Sequence, residues 1–303
     1  YKNIIHILYK VIIQKGQIMK TGIVFEGGAF RTIFSCGVMD ALVENDIMPD
    51  YMIGVSAGAA YGVSMASKQP RRNLDVLMKY RNDKRYLGLS NMIDKDNKSI
   101  YGLEFSYETI PNELNLFDYD AFKQYKGDFY CVVTNLLTGQ PEYMKYTGDD
   151  RTNTVLKATC ALPMLFPPII INDIPYMDGG LSDSIPYLKA IEDGCDRIIV
   201  VLTRQSGYTK TTSRSTKAIA YSYRNQYPKL TETMLTRASR YNESLKGLDQ
   251  YVKEGRIITI QPTTSKGFSR LEKDKNKILS MYNDGYNQCY ELLDTIKEFY
   301  GIK

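Results

Sequence analysis

The sequence predicts an α/β fold, a largely parallel sheet covered on both faces and followed by a helix-rich C-terminal region, and three observations carry that prediction. Short β-rich runs alternate with helical patterns through the first two-thirds of the chain. Glycine-bearing turns close several of those runs on the way into the next helix. The charge then changes sign: residues 1–203 hold 21 Lys+Arg against 24 Asp+Glu, a net −3, whereas residues 204–303 hold 18 against 10, a net +8. A boundary is therefore expected near Arg204.

Residues 4–13 hold seven aliphatic side chains interrupted by His6, Tyr9 and Lys10, too few in a row for the ~20 that cross a bilayer. Residues 14–20 are polar and basic, with no small-residue cleavage site, which argues against a secretory signal. This stretch reads as an amphipathic N-terminal extension, a docking helix or upstream translation, with a natural start at Met19. Residues 21–26 (TGIVFE) form a β-rich run closed by Gly27-Gly28, after which Phe34, Val38, Ala41 and Leu42 recur at helical spacing. Residues 51–55 (YMIGV) repeat the theme ahead of a small-residue helix over 57–67. Further strands are expected at 129–135 (FYCVVTN) and 197–202 (RIIVVL), with a helix over 154–160 between them. Beyond Leu202 the chain turns Ser/Thr-rich and basic over 207–215. Long helical patterns then cover 228–245 and 271–299, with a lone strand candidate at 256–261.

Composition removes whole classes of chemistry. Apolar residues are 43% and charged residues 24% of the chain, which fits a globular protein rather than a disordered or polytopic membrane one. The five cysteines are scattered without a Cys-x-x-Cys spacing, so they read as buried thiols of a cytoplasmic protein rather than a zinc site or redox pair. His6 is the only histidine. Any mechanism that needs an imidazole must use it.

Gly54-Val55-Ser56-Ala57-Gly58 matches G-x-S-x-G, the strand-to-helix elbow that pushes a serine hydroxyl out of a sheet. A serine needs a base within hydrogen-bond reach, and His6 lies ahead of the first strand. A carboxylate is then the expected base, with partial burial raising its pKa. Asp178 is the candidate, because it ends the run IPYM and is followed by Gly179-Gly180. An Asp-Gly hairpin turn is the rival reading of those residues. The loop Glu26-Gly27-Gly28-Ala29-Phe30-Arg31 opens a helix after the first strand and so aims free N–H groups at developing negative charge. A phosphate-binding loop is the rival there, although neither G-x-G-x-x-G nor a Walker lysine is present.

Together these stretches resemble the patatin-like phospholipases, most of all the bacterial intracellular members. EGGAFR is similar to that family's glycine-rich oxyanion motif, GVSAG to its nucleophile elbow and DGG to its aspartate motif, while residues 158–168 (ATCALPMLFPP) resemble the stretch between elbow and aspartate. The likeness covers residues 22–203. It implies a three-layer α/β/α fold, with a patatin-like catalytic unit over 19–203, and a catalytic dyad of Ser56 and Asp178. Gly27, Gly28 and the Ala57 N–H would then form the oxyanion hole, with Ala29, Arg31, Gly54, Gly58, Gly179 and Gly180 supporting the motifs. Ala29 and Thr32 stand where the family pattern has glycine. Arg31 matches the family's basic position, where a side chain either braces the loop or meets a phosphate.

The expected function is a serine acyl-ester hydrolase acting on lipids, with no metal or other cofactor. A catalytically idle lipid-binding module, and an acyltransferase or thioesterase on the same fold, are the alternatives. Residues 204–240 carry eight Lys+Arg against Glu232 alone, a net +7. That run suits either a solvated linker or peripheral contact with an anionic membrane. No nucleic-acid partner is expected, since no recognition motif accompanies the charge.

Overall fold

A strand with no polar face belongs inside a parallel sheet, and residues 21–25 are such a strand. In the computed structural model, which describes residues 19–95 and 97–302, β1 (Thr21–Phe25) is buried throughout and lies between β2 (Tyr51–Val55) and β7 (Arg197–Val201), parallel to both. β3 (Asp128–Asn135) extends the parallel set beyond β2, and β8 (Ile257–Ile260) extends it beyond β7. Three antiparallel strands complete the sheet at β3: β4 (Pro141–Lys145) pairs with the edge opposite β2, while β6 (Ile174–Asp178), joined by β5 (Ile169–Ile171), pairs with residues 133–135 of β3, just past the stretch that β2 occupies. Among the described residues, eight strands thus form one sheet in the order β5-β6-β3-β2-β1-β7-β8, with β4 also on β3.

The helices that cover it are α1 (Ile33–Glu44), α2 (Ala57–Ala66), α3 (Arg72–Tyr80), α4 (Tyr119–Gln124), α5 (Thr154–Cys160) and α6 (Tyr187–Glu192). They are followed by α7 (Arg214–Ser222), α8 (Pro228–Lys253), α9 (Lys275–Glu291) and α10 (Leu293–Tyr300). The strand period of two sends Ile23, Phe25 and Ile199 into one core with α1, α9 and α10. It sends Val24, Ile198 and Val200 into the other, against Tyr187 of α6 and Tyr241 and Leu248 of α8. The expected α/β/α layering with a mostly parallel sheet and C-terminal helices is the observed one. The helical pattern over 271–299 starts later than expected, because the Asp274 carboxylate accepts the Asn276 and Lys277 N–H groups and begins α9 there, and it divides in two at Leu292, between α9 and α10. His6 and the rest of residues 1–18 lie outside the described residues. No described helix is long and apolar enough to cross a membrane, and all five cysteines are buried and free.

The C-terminal helices complete the same core. α9 lies on α1 with its backbone almost touching: a Cβ on Gly37 would strike the Tyr282 carbonyl and the Tyr286 nitrogen, and one on Gly285 would strike the Phe34 carbonyl. Beside that crossing, buried Asp40 accepts the Tyr282 hydroxyl at 2.7 Å and the Arg71 N–H at 2.9 Å through one oxygen. Burial nevertheless pushes its carboxyl up to about 6. A carboxyl raised in the folded state stabilises the fold below its unfolded pKa near 4, and that contribution is lost as pH rises through 6, to about 3 kcal/mol for a two-unit shift. Asp40→Asn offers the same acceptor without the charge. Its stability relative to wild type should climb by roughly 1–3 kcal/mol between pH 4 and pH 7, as read from urea-unfolding midpoints; parallel pH curves for the two proteins would refute this.

Candidate active site

β2 ends at Val55 and α2 begins at Ala57, so the chain must reverse within one residue. Ser56 does this at φ 54° and ψ −130°, a conformation that costs a side-chain-bearing residue about 1–3 kcal/mol. The turn is closed so tightly that a Cβ on Gly54 would meet the Ala59 backbone at 2.5 Å, and one on Gly58 would meet the Phe25 carbonyl at 2.5 Å. Thr159 of α5 fixes it from below: its hydroxyl accepts the Ser56 N–H at 2.9 Å and donates to the Val132 carbonyl at 2.6 Å. Thr159 lies within the run ATCALPMLFPP, where no local pattern marks it for this part.

Strand register brings Asp178 to the same point. Val55 stands opposite Val132 and Asp178 opposite Val133, so consecutive residues of β3 carry the strand end before Ser56 and the aspartate. After Asp178 the chain makes a single 3₁₀ turn, Gly179–Leu181, and proceeds toward α6, rather than returning as a hairpin. The Asp178 Oδ1 accepts the Gly180 N–H at 2.8 Å. Its Oδ2 is buried with no hydrogen-bond partner among the described residues. Burial pushes the carboxyl above the usual range; the Ser56 hydroxyl is the strongest influence pulling it back, followed by the Arg237 guanidinium.

The glycine loop after β1 packs directly on the elbow. A Cβ on Gly27 would lie 2.7 Å from the Val55 carbonyl and 2.8 Å from the Ser56 Cβ. The backbone N–H groups of Gly27, Gly28 and Ala57 donate to no acceptor among the described residues. Ala29, where the family pattern has glycine, takes φ 50°. Glu26 anchors the loop: its carboxylate accepts the Thr203 N–H at 2.6 Å, the Thr203 hydroxyl at 3.0 Å and the Tyr241 hydroxyl at 2.9 Å. Arg31 is buried, and its Nε has no partner.

Two cavities meet at Ser56. One, of about 130 Å³, is walled chiefly by apolar and aromatic side chains, among them Phe30, Tyr61, Val76, Ile110, Leu156 and Phe166. The other, of about 60 Å³, is lined by Asp178 and by Arg31, Arg204, Lys210, Arg237 and Arg270. Arg204, Lys210 and Arg237 belong to the basic run that the sequence presented as a surface feature. Their place beside Ser56 depends on pairings some 60 residues apart, such as the Arg237 Nε donating to the Gly180 carbonyl, which no local pattern announces.

Comparison with known proteins follows the same outline. The family described as Patatin-like phospholipase matches residues 23–191, and one described as a domain of unknown function, DUF6363, matches residues 227–301. The uncharacterized protein YjjU of Escherichia coli (strain K12) is 28% identical over 202 residues, covering 63% of this chain and 53% of that protein. Lysophospholipase nte1 of Aspergillus terreus is 29% identical over 191 residues, covering 59% of this chain and 12% of that one. The match therefore spans about half the length of the first relative and a small part of the second. Among solved structures, VipD from Legionella pneumophila is similar with a TM-score of 0.44 and 15% identity, covering 92% of this chain and 67% of that chain.

Proposed function

The chain belongs to the patatin-like phospholipase family, and on that footing we propose that it is a lipid acyl hydrolase of the phospholipase A type using Ser56 and Asp178 as a dyad. The observation that carries this reading is the strained Ser56 elbow beside a buried carboxylate whose Oδ2 is unengaged. The Ser56 hydroxyl attacks the ester carbonyl carbon as Asp178 takes its proton, and the Gly27, Gly28 and Ala57 N–H groups receive the oxyanion. Collapse of that intermediate breaks the bond to the alcohol oxygen, which leaves with the proton from Asp178. Water then gives a proton to Asp178 and attacks the acyl-serine, releasing the fatty acid and restoring the hydroxyl. The apolar cavity suits the acyl chain.

A fluorophosphonate probe tests the nucleophile. Intact-protein and peptide mass spectrometry should find one adduct, on the peptide containing Ser56. An unlabelled wild-type protein would favour the idle lipid-binding alternative and overturn the enzyme reading.

We further propose a cytoplasmic protein that touches anionic membranes. Five buried free thiols suit a reducing compartment, and Arg214, Lys217, Arg224 and Lys229 are exposed on α7, α8 and their connection. Reversing Arg214, Lys217 and Arg224 to glutamate should lower binding to vesicles rich in phosphatidylserine at low salt. Each basic residue near such a surface contributes up to ~1 kcal/mol, screened as salt is added. Equal binding of wild type to neutral and anionic vesicles would defeat this part.

A further inference from the structure

The small cavity on the Asp178 side of Ser56 holds more positive charge than its own acids balance. Arg31, Arg204, Lys210, Arg237 and Arg270 all line it, and none forms an ion pair with a carboxylate of the described residues. The two acids present are engaged otherwise. Glu26 is satisfied by Thr203 and Tyr241, and Asp178 serves the proposed proton transfer. The Lys210 ammonium sits 3.6 Å from the centre of the Tyr241 ring, and the Arg204 guanidinium 4.4 Å from that of Tyr208. Aromatic faces hold both cations in position without neutralising them. The Arg31 side chain is buried with its Nε unpartnered.

Like charges gathered in a half-buried pocket oppose one another. The effect is visible at Lys210, whose ammonium is pushed down to about 7, first by burial and then by Arg237. Such a pocket reaches its lowest free energy when an anion enters and supplies the missing acceptors. A planar guanidinium presents paired N–H donors that fit two oxygens of a phosphate at once. The position of the pocket specifies which end of the substrate is anionic: the apolar cavity receives the acyl chain on the other side of Ser56, leaving the charged cavity for the departing alcohol.

Resting on the hydrolase reading of this site, we propose that the charged cavity binds a terminal phosphate on the alcohol side of the scissile ester. The substrate class is then acyl esters of a phosphorylated polyol, such as acylglycerol phosphates, in preference to lipids whose phosphate carries a choline. A quaternary ammonium gains nothing among five cations. Arg204, Lys210, Arg237 and Arg270 all follow the stretch matched by the phospholipase family model, residues 23–191. The basic C-terminal third thus sets the selectivity of a reaction centred in the first two-thirds.

The test compares 1-acylglycerol 3-phosphate with 1-acylglycerol 3-phosphocholine of the same chain, in wild type and in Lys210→Met and Arg270→Gln. Arg270 is exposed and Lys210→Met removes an unpaired half-buried charge, so both variants are expected to fold, as thermal melts will verify. Wild type should favour the phosphate ester at least tenfold in kcat/KM. Each variant should cut that preference several-fold, mainly through KM. A wild-type preference for the choline ester, or an unchanged ratio in both variants, overturns the proposal. A second arm adds inorganic phosphate to Ser56→Ala and follows its melting temperature against chloride at equal ionic strength. Stabilisation that Lys210→Met abolishes supports the anion site even if wild type hydrolyses neither ester, an outcome that would sink the hydrolase reading alone. Stabilisation by phosphate without ester selectivity would assign the cavity to free phosphate and refute it as a substrate subsite. No stabilisation by phosphate also counts against it.

Discussion

Ser56→Ala should lower ester turnover by about 10³-fold or more with the fold intact, since removal of a nucleophile leaves only binding and oxyanion stabilisation. The elbow makes a second substitution informative. Alanine keeps a Cβ at φ 54° and ψ −130°, so its stability should stay close to wild type. Glycine visits that backbone region freely, and Ser56→Gly should therefore gain roughly 1–3 kcal/mol in unfolding free energy while losing activity to the same extent. Initial rates on a short-chain ester, with urea midpoints for all three proteins, measure both effects. Appreciable turnover by Ser56→Ala would remove the serine from the mechanism.

Asp178→Asn is expected to be as damaging, for a reason that shows in the pH profile. The carboxyl must be ionised to accept the hydroxyl proton, and burial raises its pKa above the ordinary range, so wild-type kcat/KM should rise with pH through a limb above pH 4. The same shift acts oppositely on stability: a carboxyl whose folded pKa is raised favours the fold most at low pH and less as it ionises. Asparagine can still accept the Gly180 N–H through its amide oxygen. The variant should lose about 10³-fold in rate, lose the acid limb in its residual rate, and be more stable than wild type at neutral pH. An acid limb that persists in Asp178→Asn would assign the base elsewhere.

The alternating order of strands and helices was readable because the parallel strands are buried on both faces and appear as continuous apolar runs, as in IIVV of β7. The three motif stretches were readable because each needs glycine where another backbone comes too close for a side chain. β4 and β5 were missed for the opposite reason. PEYMK is only half-buried and antiparallel, and three isoleucines at 169–171 are too short a run to claim a strand. Charge pattern marked the last third as different but treated Arg237 and Arg214 alike. The first lines the site and the second faces solvent, a distinction that exists only once α8 is laid across the sheet.

The crossing of α1 and α9 sets a timetable for the growing polypeptide. Strands β1 to β7 leave the ribosome with their connecting helices, yet the groove around Gly37 stays empty until the segment Lys275–Glu291 has been made. At roughly 5–20 residues per second, translation from residue 203 to residue 291 takes about 4–18 s. Through that interval the edge of β7 that β8 later covers is open to pairing with any extended chain. Chaperone binding late in synthesis would shield that edge. Ribosome stalling or premature termination after Thr203 would turn a passing vulnerability into a lasting source of aggregates.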